Sequence, residues 1–170
     1  MATAYLSLGS NVSPEAHMPA AARALASRFP GARFSPLYRS RAVGFDGPDF
    51  LNAGAAIETR LSPEELSMSL HAIEDELGRR RDGPRFSDRT IDIDLVLYGD
   101  LVQSGDGLIE LPRRELRDAV HVLQPIMDLA PDLREPATGN ALSDLLGGLL
   151  AGGDAVLEMV DLSEWRSLSR

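Results

Sequence analysis

The chain has no cysteine, which excludes disulfides, thiolate metal sites and thiol nucleophiles. It has no lysine either, so all 17 basic residues are arginine. A phosphate-loop lysine and a Schiff-base mechanism are both excluded, and any phosphate chemistry must rest on arginine, backbone and metal. No apolar run approaches the roughly 20 residues of a membrane span, and the opening MATAYLSLGSN lacks the basic start and cleavage pattern of a leader. The expectation is a cytoplasmic protein with no membrane partner. A positive balance is also missing: the formal charge of -9 argues against a general nucleic-acid binder, which needs a basic face. The 170 residues, 44% hydrophobic and 25% charged, suit one globular domain over 1–170. No repeat or linker divides it.

The stretch that organises the chain runs from Glu74 to Gly99 and centres on GRRRDGPRFSDRTIDIDLVLYG. Arg79, Arg80, Arg81, Arg85 and Arg89 sit in a segment carrying glycine and proline, directly ahead of an apolar, β-branched run containing Asp92 and Asp94. Alternate residues of a strand face the same side, so the two aspartates point together, roughly 7 Å apart. Carboxylates suit hard cations such as magnesium, and guanidinium forks suit phosphate oxygens; the combination reads as a site for a magnesium polyphosphate. An exposed edge strand would also carry two aspartates, but five arginines beside them repel one another unless an anion compensates. Phosphoryl or pyrophosphoryl transfer is the better reading, because such reactions need mainly positioning and charge neutralisation.

The flanking sequence supplies the frame. Ala4 to Leu8 reads as a strand that runs into Gly9-Ser10-Asn11, a turn that resembles a phosphate loop only weakly because it lacks the repeated glycines. Ser13-Pro14 reads as an N-cap and first helical position for a helix reaching Phe29. Residues 32–43 suggest a long second strand, and Phe50 to Thr59 a third, antiparallel to it. Asn52 stands out there, since a buried amide must find partners. Ser62-Pro63-Glu64-Glu65 is a capping box ahead of a helix burying Leu66, Leu70, Ile73 and Leu77, with His71 and Glu74 on its polar side and Gly78 as C-cap. After Gly99-Asp100, a hairpin to Leu101-Val102, a short strand at Leu108 to Leu111, a broken helical region over 113–130 and a helix capped by Asn140 are expected. Residues 152–170 are weakly patterned and read as a surface extension. The order strand, helix, strand, strand, helix, strand predicts an α+β fold: a ferredoxin-like antiparallel sheet with two packed helices on one face and additional C-terminal strands and helices.

GSN near the start, PDFLNA at 48–53, IE at 73–74, GRRR at 78–81 and RTIDIDLVLYG at 89–99 together resemble the 6-hydroxymethyl-7,8-dihydropterin pyrophosphokinases of folate synthesis, over about residues 1–135. The resemblance implies a ferredoxin-like fold and transfer of the terminal pyrophosphoryl unit of ATP to a hydroxymethyl pterin, with release of AMP. It implies that Asp92 and Asp94 hold two magnesium ions and that Arg79 and Arg89 meet the phosphates. Arg81, Arg85 and Phe86 fall at positions of a loop that closes over ATP, Phe86 standing where tryptophan is usual. His71 and Glu74 fall on the nucleotide side, Glu74 as acceptor of a ribose hydroxyl. Asn52 matches the amide that reads the pterin edge and Phe50 a stacking aromatic, with Ser40, Val43 and Gly44 completing the rim.

The departures cluster after Pro112. Where the family has histidine, then arginine and a stacking phenylalanine, this chain has Arg113, Ala119 and His121. Arg113, Arg114 or Arg117 could supply the missing charge, the first two as ATP ligands, and His121 could form the second pterin wall. An altered pterin-like acceptor, a nucleotide-binding module without turnover, and a metal-dependent phosphohydrolase or nucleotidyltransferase are the competing readings. The sequence leaves the oligomeric state open.

Overall fold

The computed structural model describes residues 1–79, 82–83, 88–153 and 157–170. Strand β1 (Ala2–Ser10) leads into helix α1 (Pro14–Arg28), then β2 (Arg33–Phe34), β3 (Leu37–Ser40), β4 (Phe50–Thr59), α2 (Pro63–Glu76) and β5 (Asp92–Tyr98). The helical segments α3 (Glu115–Asp118), α4 (Val120–Leu129) and α5 (Leu142–Ala151) follow, and β6 (Glu158–Val160) and α6 (Ser163–Leu168) close the chain. The sheet runs β5-β1-β4-β3-β6, with β2 also on β4, and its pairings are antiparallel. The expected ferredoxin-like order is what forms.

Side-chain alternation along β1 divides the molecule. Ala4, Leu6 and Leu8 point to one face, where they pack with Met18 and Leu25 of α1 and Leu66, Leu70 and Ile73 of α2. The α2 stripe works because these positions recur every three or four residues, and Ser62 with Glu65 closes the capping box at its start, a cap that contributes about 1 kcal/mol. Tyr5 points the other way, into a second cluster with Ala56, Val96, Val122, Leu123 and Ile126. Helix α4 lies directly on β4 there: a Cβ at Gly54 would come within 3.1 Å of the Pro125 carbonyl, so a larger residue would push the helix back by a few tenths of an ångström. This second face is apolar only at one end. Further along the same strands it carries Ser7, Gly9, Asn52, Asp92 and Asp94.

Several boundaries differ from expectation. The long second strand breaks into β2 and β3, because Ser35-Pro36 inserts one extra residue against β4 and the Ser35 hydroxyl, not a ladder carbonyl, takes the Gly54 N–H at 2.8 Å, the signature of a bulge. Ser13 makes no side-chain cap and adopts a left-handed conformation with φ of 43°. Ala141 rather than Asn140 precedes α5. The expected Leu101-Val102 hairpin reduces to a single bridge between Gln103 and Leu111.

The largest correction concerns 152–170, expected as a surface extension. Its described residues add β6 to the sheet edge beside β3 and dock Trp165, only 2% exposed, into the first core. The indole meets Phe34 edge to face at 5.8 Å, and its Nε1 donates to the Ser35 carbonyl at 2.9 Å. Short segments conceal such docking because one aromatic, not a periodic stripe, does the anchoring. Trp165→Phe is expected to cost about 1–3 kcal/mol by leaving the buried Ser35 carbonyl without its donor, read as a lower urea midpoint. A wild-type midpoint would return the segment to the surface.

Candidate active site

The polar end of the second face is built by register. Gly9 sits between Asp92 on β5 and Asn52 on β4, and Ser7 sits between Asp94 and Gly54. Gly9 lies in the floor, and a Cβ there would make ordinary contact with Asn52 Oδ1 at 3.6 Å and with Phe50 at 3.7 Å. The segment 41–49 and the α3–α4 turn raise walls on either side, enclosing a cavity of about 390 Å³. Asp92, Asp94, Arg89 and Arg113 line one part of it, and Asn52, Ser40, Phe45, Phe50 and His121 another. That volume suits a small heteroaromatic ligand.

Asp92 is clamped. Arg79 holds its Oδ1 and Arg89 its Oδ2. Burial works to raise the Asp92 pKa, but the Arg89 and Arg79 charges outweigh it and hold the carboxyl below its usual range. Arg79 is itself fixed, donating to the Ile91 carbonyl at 3.1 Å and to Glu74 Oε1 at 3.0 Å. Asp94 is placed differently. Arg113 Nη1 stands 3.4 Å from its Oδ1, and burial together with the charge of Asp92 pushes its pKa up to about 6. One carboxylate is thus well compensated and its neighbour is not.

Glu74 corrects an expectation. It is 1% exposed, and its Oε1 accepts from the Ile93 N–H at 2.6 Å as well as from Arg79. It faces inward from α2 and ties that helix to β5. The polar-side assignment failed because His71 and Glu74, though three apart, straddle the edge of the buried stripe: His71 is exposed and lies outside the cavity lining.

In the other part, buried Asn52 donates from Nδ2 to Ser40 Oγ at 2.7 Å, which fixes the plane of its amide. Phe45 and Phe50 meet edge to face at 6.3 Å and 88°. His121 enters from the first turn of α4, and burial lowers its pKa against the opposing pull of Glu115, so the ring is a neutral wall at physiological pH. Val43 lines the cavity while Gly44, at positive φ of 84°, only turns the chain. Arg114 does not line it; its side chain is 79% exposed and pairs with Asp118 at 2.7 Å. Arg117 is drawn away to buried Glu135 at 2.5 Å. Arg81, Arg85 and Phe86 lie outside the described residues.

Sequence reading missed Phe45, Glu115 and Asp118, which reach the cavity from loops and a single turn where no period marks them. Ser7 was legible in principle, since it alternates with Leu6 and Leu8 and therefore shares a face with Asp94. Asn11 was passed over as part of a turn. It is buried, and its amide donates to Asp88 at 2.8 Å while accepting from the Arg89 N–H at 2.6 Å. Ser10 Oγ bonds the Thr90 carbonyl at 2.5 Å. The GSN turn therefore holds Arg89 where it meets Asp92.

The donor chemistry fits magnesium. Among the described residues no group of three or more acidic or histidine side chains is arranged for a metal. Two carboxylates on one wall are, however, what magnesium takes from protein when substrate phosphates complete its shell, and Asp94 is the under-compensated anion such an ion would satisfy.

Fold and site together define a ferredoxin-like α+β protein whose sheet carries, on one face, a carboxylate pair with guanidinium groups in a cavity shared with Asn52, Phe50 and His121. Residues 5–131 match the family model for 7,8-dihydro-6-hydroxymethylpterin-pyrophosphokinase. The chain belongs to that family. It is 40% identical over 151 residues, 84% of this chain and 88% of the other, to the 2-amino-4-hydroxy-6-hydroxymethyldihydropteridine pyrophosphokinase of Pseudomonas aeruginosa. It is 36% identical over 157 residues to the folic acid synthesis protein fol1 of Schizosaccharomyces pombe, spanning 88% of this chain but only 21% of that longer protein. Among solved structures, a Plasmodium falciparum HPPK-DHPS with pterin and p-hydroxybenzoate superposes with a TM-score of 0.71 at 12% identity, over 89% of this chain and 43% of that one. That last likeness carries the fold alone. No helix among the described residues is long and apolar enough to cross a membrane.

Proposed function

We propose that the chain transfers the terminal pyrophosphoryl group of ATP to the hydroxymethyl oxygen of 6-hydroxymethyl-7,8-dihydropterin, releasing AMP, as a cytoplasmic step of folate biosynthesis. The observation that carries this reading is that one cavity joins the Asp92–Asp94 wall to the Asn52–Phe50 slot. A polyphosphate at the first would place its phosphorus next to a ring held at the second. Asp92 and Asp94 would hold two magnesium ions, which when bound neutralise phosphate charge and orient the hydroxyl. Arg89 and Arg79 fix Asp92 and face the same charge, while Glu74 holds Arg79 in place. Asn52, its amide plane set by Ser40, would read the polar edge of the pterin, and Phe50 with His121 would confine its faces. Family membership and the 40% identical pyrophosphokinase support the same activity.

His121 is the point at which an altered acceptor would show. Phenylalanine offers more apolar area, so His121→Phe is expected to bind the hydroxymethyl pterin about fivefold more tightly, roughly 1 kcal/mol, in calorimetry with magnesium and a nonhydrolysable ATP analogue. AMP formation from MgATP should require the pterin in both proteins. Weaker binding by the variant would mean that the imidazole makes a polar contact to a different natural acceptor. Nucleotide binding with no pterin binding in either protein would sink the folate reading.

A further inference from the structure

Arg113 is shared between two carboxylates. Its Nη1 lies 3.4 Å from Asp94 Oδ1 and its Nε 3.4 Å from Glu115 Oε2. Both separations exceed the reach of a well-formed hydrogen bond, and a guanidinium locked onto one partner would close to about 2.8 Å. The backbone is pinned, since the Arg113 N–H donates to the Val96 carbonyl at 2.9 Å and its own carbonyl accepts from Leu116 at 3.1 Å. The side chain is 36% exposed, and it lines the cavity. Its base is fixed and its head can turn. Neither of the next two arginines is comparable: Arg114 is on Asp118 and Arg117 on Glu135. Arg79 differs too, because Glu74 and the Ile91 carbonyl hold it in place.

We propose that Arg113 is a two-position residue: in the free protein it is the counter-ion of Asp94, standing against a metal ion there, and with metal and nucleotide bound it turns onto the polyphosphate. This rests on the reading of Asp92 and Asp94 as the metal pair. A guanidinium next to Asp94 lowers the affinity of that carboxylate for a divalent cation, since like charges compete for one anion. A polyphosphate brings enough negative charge to hold both cations, so its arrival removes the competition. Metal alone is then bound weakly, and metal and nucleotide raise each other's affinity. A fixed structural ion pair would give no such exchange.

The proposal requires effects of opposite sign in one variant. Manganese binding to the free protein is measured by electron paramagnetic resonance, and binding of a nonhydrolysable ATP analogue with manganese present by calorimetry. Arg113→Met is expected to bind manganese about two- to fivefold more tightly without nucleotide, the range of an exposed ion pair. The same variant should bind the analogue about tenfold less tightly, as for a lost hydrogen bond to a charged group. Arg114→Met, which removes the same charge one residue away, should match wild type in both. Unchanged or weaker manganese binding by Arg113→Met overturns the proposal, even if nucleotide binding falls. Equal tightening in Arg114→Met assigns the effect to net charge and overturns it as well. Asp94→Asn is the separate control: wild-type manganese affinity in its analogue complex would remove the metal-pair reading, and this proposal with it.

Discussion

Asp92→Asn and Asp94→Asn are each expected to reduce pyrophosphoryl transfer by a factor on the order of 10³ or more, because each removes a charged ligand facing the transferring group. Their effects on the magnesium-free fold should be opposite. Asp92 has a depressed pKa because two arginines engage it, so it contributes stability above the usual carboxylate range that is lost as pH falls through its own pKa. Removing its charge at neutral pH leaves Arg79 and Arg89 facing each other, at a cost of about 1.5–3 kcal/mol. Asp94 has a pKa raised to about 6. Its contribution is most favourable below the ordinary carboxylate pKa and declines as pH rises through about 6, so Asp94→Asn should melt higher than wild type above that pH and flatten the dependence. Thermal midpoints in chelator, followed from neutral pH to well below the ordinary carboxylate range, test both. Equal shifts in the two variants would sink the asymmetric picture, and retained turnover in either would sink the metal assignment.

Glu74→Ala is expected to destabilise the protein by about 1–3 kcal/mol, the cost of leaving a buried donor without its acceptor. The deletion takes the acceptor of the buried Ile93 N–H and one of the acceptors of Arg79, which keeps Asp92 and the Ile91 carbonyl. Glu74→Gln keeps an acceptor for each and should stay folded. It relaxes Arg79, however, and through Arg79 the clamp on Asp92, so turnover should fall with little change in the KM for ATP. Urea unfolding measures the first effect and steady-state kinetics the second. If instead KM for ATP rises with kcat unchanged, Glu74 contacts nucleotide directly after all.

The same residue shows where sequence reasoning stops. The helix carrying Glu74 was legible from its capping box and apolar spacing, but spacing assigns a face only to within a side chain's width. Glu74 falls at the margin of that stripe. Whether it meets water or Arg79 depends on how far α2 leans on β5, a matter of packing between segments. Trp165 repeats the lesson, since a single aromatic in a patternless stretch gives no period, yet the gap beside Phe34 receives it.

The sequence by itself determined the strand and helix order as far as the aspartate strand, the pairing of Asp92 with Asp94 on one side of that strand, the restriction of cation chemistry to arginine, and the amide at Asn52. These follow from local rules: alternation in a strand, the fixed chemistry of each side chain, and the turn and cap residues that bound each segment. Tertiary structure alone decided which arginine serves which carboxylate. Arg79 and Arg89 go to Asp92, Arg113 hangs between Asp94 and Glu115, and Arg114 and Arg117 are drawn off to Asp118 and Glu135. The reason is that charge has no period. An ion pair forms between whichever groups the packed backbone brings within about 4 Å, and those distances exist only once β5, α2 and the α3–α4 turn have closed on one another.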